Sequence, residues 1–129
     1  MLSRNQEQEK IMFIIYQILF LNRMKNDFDL VEVIEDTMEE NYSDVSVFVK
    51  EVVVKCDEIY NLILPNCTTW KMERINLVVI SILMLGITEY KYIGNVDKSV
   101  IIDVCVKLAK KYADEKDYRF VNALLDKIL

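Results

Sequence analysis

Apolar residues recur along this chain at helical spacing almost from end to end. Ile11, Ile14, Ile15, Ile18 and Leu21 repeat every three or four positions and predict a helix over about 4–21. Phe13, Leu19 and Phe20 add a second apolar face, so this helix is expected to be packed on more than one side. After a polar break over 22–27, Asp29 and Glu32 have capping-box spacing and open a short helix over about 30–38. Val45, Phe48, Val49, Val52, Val53, Cys56, Ile59, Tyr60 and Ile63 hold one stripe for five turns, capped by Ser43 or Asp44 and ended by Pro65 and Asn66. A strand with this periodicity would turn half its apolar residues to the wrong face, so one continuous helix is predicted.

A second half starts at Cys67. Thr68 or Thr69 suits the cap of a short turn carrying Trp70 and Arg74, which leads into a strongly apolar helix over about 75–90. Gly94 and Asn95 favour left-handed backbone, and Asp97 is placed to cap a helix over 98–112 whose inner stripe is Val100, Ile101, Val104, Cys105, Leu108 and Tyr112. Asp114 or Asp117 caps a last helix with Phe120, Val121, Leu124, Leu125 and Ile128 inward. The expectation is an all-α fold of about six to seven helices, one domain with helical subdomains of about 1–66 and 67–129.

Composition narrows the chemistry. Two glycines and one proline leave little material for turn-rich β folds or phosphate-cradling loops. The longest apolar run, 75–87, is interrupted by Asn76 and Ser81 and falls short of a bilayer span, so no membrane association is expected. The start of the chain has no signal-peptide pattern, which makes the cytoplasm the expected location. Cys56, Cys67 and Cys105 are odd in number and widely spaced, and the absence of histidine rules out a Ser-His or Cys-His dyad. No catalytic residue, cofactor or metal ligand is assigned. The net charge of −5 is uneven: residues 1–22 are neutral, 23–66 carry −7, and 67–129 carry +2. A polyanion would have to meet the two ends of the chain, because phosphate affinity rests on clustered cations. Glu35, Asp36, Glu39 and Glu40 read as a solvated acidic run.

The tail carries a sharper signal. Leu108-Ala109-Lys110-Lys111-Tyr112 is followed closely by Phe120-Val121-Asn122-Ala123-Leu124-Leu125-Asp126. This resembles the carboxyl-terminal signature of the NusB antitermination family, in which Leu-Ala-Lys plus an aromatic precedes Phe-Val-Asn-Gly-Val-Leu-Asp. Trp70, Arg74, Leu83 and Glu89 fall at further positions typical of the family, and Ser3-Arg4, Glu9-Lys10 and Ile15-Tyr16-Gln17 are similar to its opening helix. The resemblance implies two helical bundles and a non-enzymatic factor that acts with a small-subunit ribosomal protein on boxA-type RNA in ribosomal RNA synthesis, within the transcription elongation machinery. It assigns nucleic-acid binding to Arg4, Lys10 and Tyr16, and partner binding to Glu89, Lys116 and Phe120.

The chain also departs from the family. Asn5, Gln6 and Gln8 stand where several arginines are usual, Asp103-Val104 replaces an Asn-Glu pair, Met84 an arginine, and Ala123 the glycine of the signature. Two alternatives follow: a divergent NusB-like protein-interaction module without RNA binding, or an accessory domain of the type fused to RNA cytosine methyltransferases. A homodimer through exposed apolar residues stays open. Tyr16, Trp70 and Phe120 are able to stack on splayed bases, with core packing the simpler role. Lys98, Lys107, Lys110, Lys111 and Arg119 form either a basic strip or a solvated face. A lone carboxylate such as Glu89 is expected to pair with a cation such as Arg74, and Asn122 to bond backbone at a helix contact.

Overall fold

A computed structural model describes residues 3–24, 27–38, 43–67 and 75–129. The expected cap at Thr68 or Thr69, the turn bearing Trp70 and Arg74, and the acidic residues Glu39 and Glu40 lie outside the described residues. Within them the chain forms seven α-helices: α1 (Arg4–Arg23), α2 (Leu30–Thr37), α3 (Ser43–Val54), α4 (Cys56–Ile63), α5 (Leu77–Thr88), α6 (Lys98–Tyr112) and α7 (Glu115–Ile128). A 3-10 turn (Leu64–Asn66) follows α4, and a π-helical turn (Glu89–Ile93) extends α5.

Helix α1 starts at a capping box. Ser3 Oγ accepts from the Gln6 amide at 3.2 Å, and Gln6 Oε1 accepts from the Ser3 amide at 2.9 Å, satisfying two otherwise orphaned donors. Its buried stripe is Gln8, Ile11, Met12, Ile14, Ile15 and Leu19. Phe20, expected on a packed second face, is 46% exposed, because the element packed beside that end is the short α2. Asp29 caps α2 through the Val31 amide at 3.0 Å.

The continuous helix expected over 45–63 is interrupted at Lys55, whose φ of −96° and ψ of 10° leave the helical well. Three successive β-branched residues, Val52 to Val54, are stiff at χ1 and weaken the helix just before the break. Val53 and Val54 are exposed, while Ile59 and Ile63 beyond it are fully buried, on a helix that packs against α5 and α7.

Helix α5 is the centre of the molecule. It contacts α1, α3, α4, α6 and α7, and every residue from Val79 to Glu89 is buried. Asn76 caps it through the Val78 amide at 2.8 Å, and Ser81, the polar interruption in the run, donates to the Leu77 carbonyl at 2.7 Å. Each fully buried Ile or Leu here is worth about 1.5–3 kcal/mol of transfer free energy, so hydrophobic burial dominates this helix. Gly86 permits the close approach of α6: a Cβ there would lie 3.0 Å from Cys105 Sγ. The chain leaves the π-turn through Gly94 (φ 82°) and Asn95 (φ 66°), the left-handed pair read from the sequence.

Asp97 starts α6 as expected, but its side chain makes no capping bond; its carbonyl accepts from Val100 and Ile101 instead. Val100 and Tyr112, placed on the inner stripe, are 44% and 37% exposed, because the buried face runs through Ile101, Val104, Cys105, Leu108 and Ala109. Asp114 is the residue preceding α7, and its amide donates to Asp117 Oδ2 at 3.1 Å. The buried apolar residues of both halves form one cluster.

Candidate nucleic-acid and partner interface

The capping box at Ser3 fixes Arg4 as the first residue of α1. From there its guanidinium reaches Glu89, the first residue of the π-turn: Nη1 donates to Oε2 at 3.0 Å and Nη2 to Oε1 at 2.7 Å. The side chain of Glu89 is 5% exposed and that of Arg4 41%. The hydrogen bonds it donates to Glu89 hold the Arg4 guanidinium above its ordinary pKa, against the opposing effect of partial burial. Among the described residues the partner of Glu89 is Arg4; the expected Arg74 lies outside the described residues. The π-turn is closed by the Gly94 amide donating to the Glu89 carbonyl at 2.8 Å, which anchors Glu89 at both its backbone and its side chain.

A second polar link lies further along α1. Glu9 accepts from Lys111 Nζ at 3.1 and 3.2 Å and from the Tyr112 hydroxyl, both in the last turn of α6. The Tyr112 ring meets Phe13 edge-on, with centroids 5.4 Å apart. The Tyr112 hydrogen bond, aided by Lys111, holds the Glu9 carboxyl below its usual range. The opening turn and a half or so of α1 is thereby tied to the carboxyl-terminal half at two points, Arg4 and Glu9.

The six site residues read from the sequence are placed unequally. Arg4 and Glu89, assigned to different surfaces, bond to each other. Lys10 is half-buried, and among the described residues no carboxylate lies within ion-pair distance of it. Tyr16 is about 18 Å along the helix axis from Arg4, at 1.5 Å per residue. It is half-buried and stacks on exposed Phe20, with centroids 6.4 Å and planes 17° apart. Lys116 is exposed in the first turn of α7, and half-buried Phe120 follows one turn later on the same face.

The candidate basic strip on α6 and α7 is largely neutralised locally. Lys107 pairs with Asp103, Arg119 with Glu115, and Lys98 with Asp126, while Lys110 sits over the Tyr118 ring at 4.9 Å. Asn122, expected to bond backbone, is exposed and lines a groove of about 560 Å³ between α6 and α7, floored by Ile102 and Val106. Glu9, Lys111 and Tyr112 were not legible as site residues, since nothing local in the sequence joins positions about a hundred residues apart. The Ser3–Gln6 box was legible as a Ser-x-x-Gln spacing ahead of an apolar stripe, and Gln8, buried on that stripe, falls three positions before Ile11.

An all-helical protein with a central helix buried from Val79 onward, its amino-terminal helix tied by ion pairs to the turn after that helix and to α6, has the fold of solved NusB structures. The Thermotoga maritima NusB structure superposes with a TM-score of 0.87 at 23% identity, over 98% of this chain and 90% of that one. A chain in the structure of the antitermination factors NusB and NusE in complex with double-stranded RNA superposes with a TM-score of 0.81 at 22% identity, over 97% of this chain and 94% of that one. The NusB family model matches residues 5–129, and the chain belongs to the NusB family. It is 34% identical to the transcription antitermination protein NusB of Finegoldia magna, over 99% of this chain and 94% of the relative. The Listeria innocua protein of the same name is 31% identical, over 98% and 96%.

Proposed function

We propose that this chain is a transcription antitermination factor that binds boxA-type RNA together with a small-subunit ribosomal protein during ribosomal RNA synthesis, as part of the cytoplasmic elongation machinery. Membership of the NusB family across residues 5–129 is the observation that carries this reading. The solved complex of NusB and NusE with double-stranded RNA, whose fold this chain shares, supports it. The contribution of the chain is a preformed surface, with Arg4 and Lys10 on α1 facing phosphate and Tyr16 available for stacking. Glu89, Lys116 and Phe120 are assigned to the protein partner. Among the described residues no helix is long and apolar enough to cross a membrane.

One observation favours a second reading, a protein-binding member without RNA affinity. Of the cations around the start of α1 among the described residues, Arg4 is paired with Glu89 and Lys111 with Glu9, whereas Lys10 has no ion pair there. Each phosphate neutralised on a single strand adds about 0.7 to the salt slope, so the unpaired charges set the affinity. Fluorescence anisotropy of a labelled boxA-like RNA, with and without the ribosomal partner at two salt concentrations, separates the two. Salt-sensitive binding that tightens with the partner and weakens in Lys10→Ala is the expected outcome. No binding under any condition would leave the protein-only reading.

A further inference from the structure

We propose that the Arg4–Glu89 pair is an autoinhibitory latch, withholding one of the two cations at the start of α1 from RNA until Glu89 is neutralised by another group. This rests on the RNA-binding reading and adds a mechanism of regulation to it.

The two partners are not equivalent. Glu89 is 5% exposed and anchored in the π-turn, whereas Arg4 is 41% exposed on a long side chain, so the pair opens by Arg4 leaving. Its departure strands a buried carboxylate, a state strongly penalised in a low-dielectric setting. Gln8, one turn beyond Arg4, and Thr88, just before Glu89, are both buried, and Gln8 Oε1 and Thr88 Oγ1 have no hydrogen-bond partner among the described residues. Among the described residues the Arg4 guanidinium is the hydrogen-bond donor to Glu89.

A phosphate approaching the closed pair therefore meets a neutral ion pair instead of a free cation. Neutralising Glu89, by substitution or by a cationic side chain of a protein partner that takes over its carboxylate, releases Arg4 to the RNA backbone. One additional phosphate contact multiplies affinity by about fivefold at 0.1 M salt relative to 1 M, from a slope of about 0.7 per phosphate.

The test is anisotropy of a labelled single-stranded boxA-like RNA against the full chain as wild type, Glu89→Gln, Arg4→Ala and the double variant, from 0.05 to 0.5 M salt. Thermal melting of each variant checks folding. The expected result is tighter binding by Glu89→Gln, about fivefold at 0.1 M, with a salt slope steeper by about 0.7 and the gain abolished in the Arg4→Ala background. If wild type binds RNA and Glu89→Gln leaves affinity and slope unchanged, or keeps its gain without Arg4, the latch is refuted while the RNA-binding reading stands. If no protein binds RNA at any salt, that reading falls and takes the latch with it. Should Glu89→Gln fail to fold, Arg4→Lys keeps the charge and loses the two-pronged grip; a steeper slope than wild type supports the latch, and an equal slope overturns it.

Discussion

Arg4 and Glu89 are 85 positions apart in the chain and share two hydrogen bonds, with the carboxylate almost wholly enclosed. Breaking a fully buried pair by removing one partner costs about 3–5 kcal/mol, and partial exposure of the arginine reduces this by solvent screening. Arg4→Ala is expected to lower unfolding stability by about 1–2 kcal/mol in urea titrations. Lys107→Ala, which breaks an exposed pair with Asp103, should stay within about 0.5 kcal/mol of wild type. Equal costs for the two would mean the Arg4 contact contributes no more than a surface pair.

Gly86 tests the packing of α5 on α6. An added Cβ would lie 3.0 Å from Cys105 Sγ and 3.3 Å from Leu125 Cδ1. Overpacking costs about 1–3 kcal/mol, while replacing a helical glycine by alanine returns about 1 kcal/mol. Gly86→Ala is therefore expected to destabilise by about 1 kcal/mol, and Cys105→Ala should relieve the strain, so the double variant is less damaged than the sum of the singles. Strict additivity would show that the thiol is not the obstacle.

Glu9 gives the fold an acid-sensitive contact. Its carboxyl is held below the ordinary glutamate value of 4.5 by Tyr112 and Lys111, so its contribution is complete above that value and lost as pH falls through the lowered one. The melting-temperature gap between wild type and Glu9→Gln should be constant from pH 7 to about 5 and shrink from about pH 4.5 to 3. A gap that stays constant down to pH 3 would dissociate the carboxylate charge from the contact.

The three thiols should differ in reactivity. Cys105 is fully buried, its thiol held well above the usual range by desolvation, whereas Cys56 and Cys67 are half-buried with smaller upward shifts of the same cause. A disulfide reagent at pH 8 should label Cys56 and Cys67 slowly in the native protein, and Cys105 only after denaturant is added. Labelling of all three thiols at one rate in the native state would contradict the enclosed position of Cys105.

The helices were legible wherever one apolar stripe served one neighbour. The buried spine at α5, the limits of α6, and the left-handed pair Gly94 and Asn95 follow from spacing and backbone preference alone. The break at Lys55 was not legible, because Val52, Cys56, Ile59 and Ile63 keep helical spacing across it and the stripe hides where the helix stops. Val100 and Phe20 satisfied the periodicity yet stand at the margins of their contacts, where a stripe is wider than the neighbour covering it. The polar site was the least legible part. Glu89 was recognised as needing a cation, but which cation is a property of how α1 lies against α5, and no local pattern encodes that. The tail signature identified the family without revealing that Arg4 and Glu89 meet.

The enclosure of α5 also bears on the order in which the chain acquires structure. Helix α1 is synthesised before α5, yet α5 is its most extensive neighbour, with α2 and α3 making smaller contacts, and lies dozens of positions later. Until α5 is synthesised the apolar face of α1 is only partly covered, and contacts so distant in sequence favour late, concerted folding. Nascent chains stalled after about residue 66 should remain open to protease digestion, and protection should arrive abruptly once α5 and its coverings have emerged.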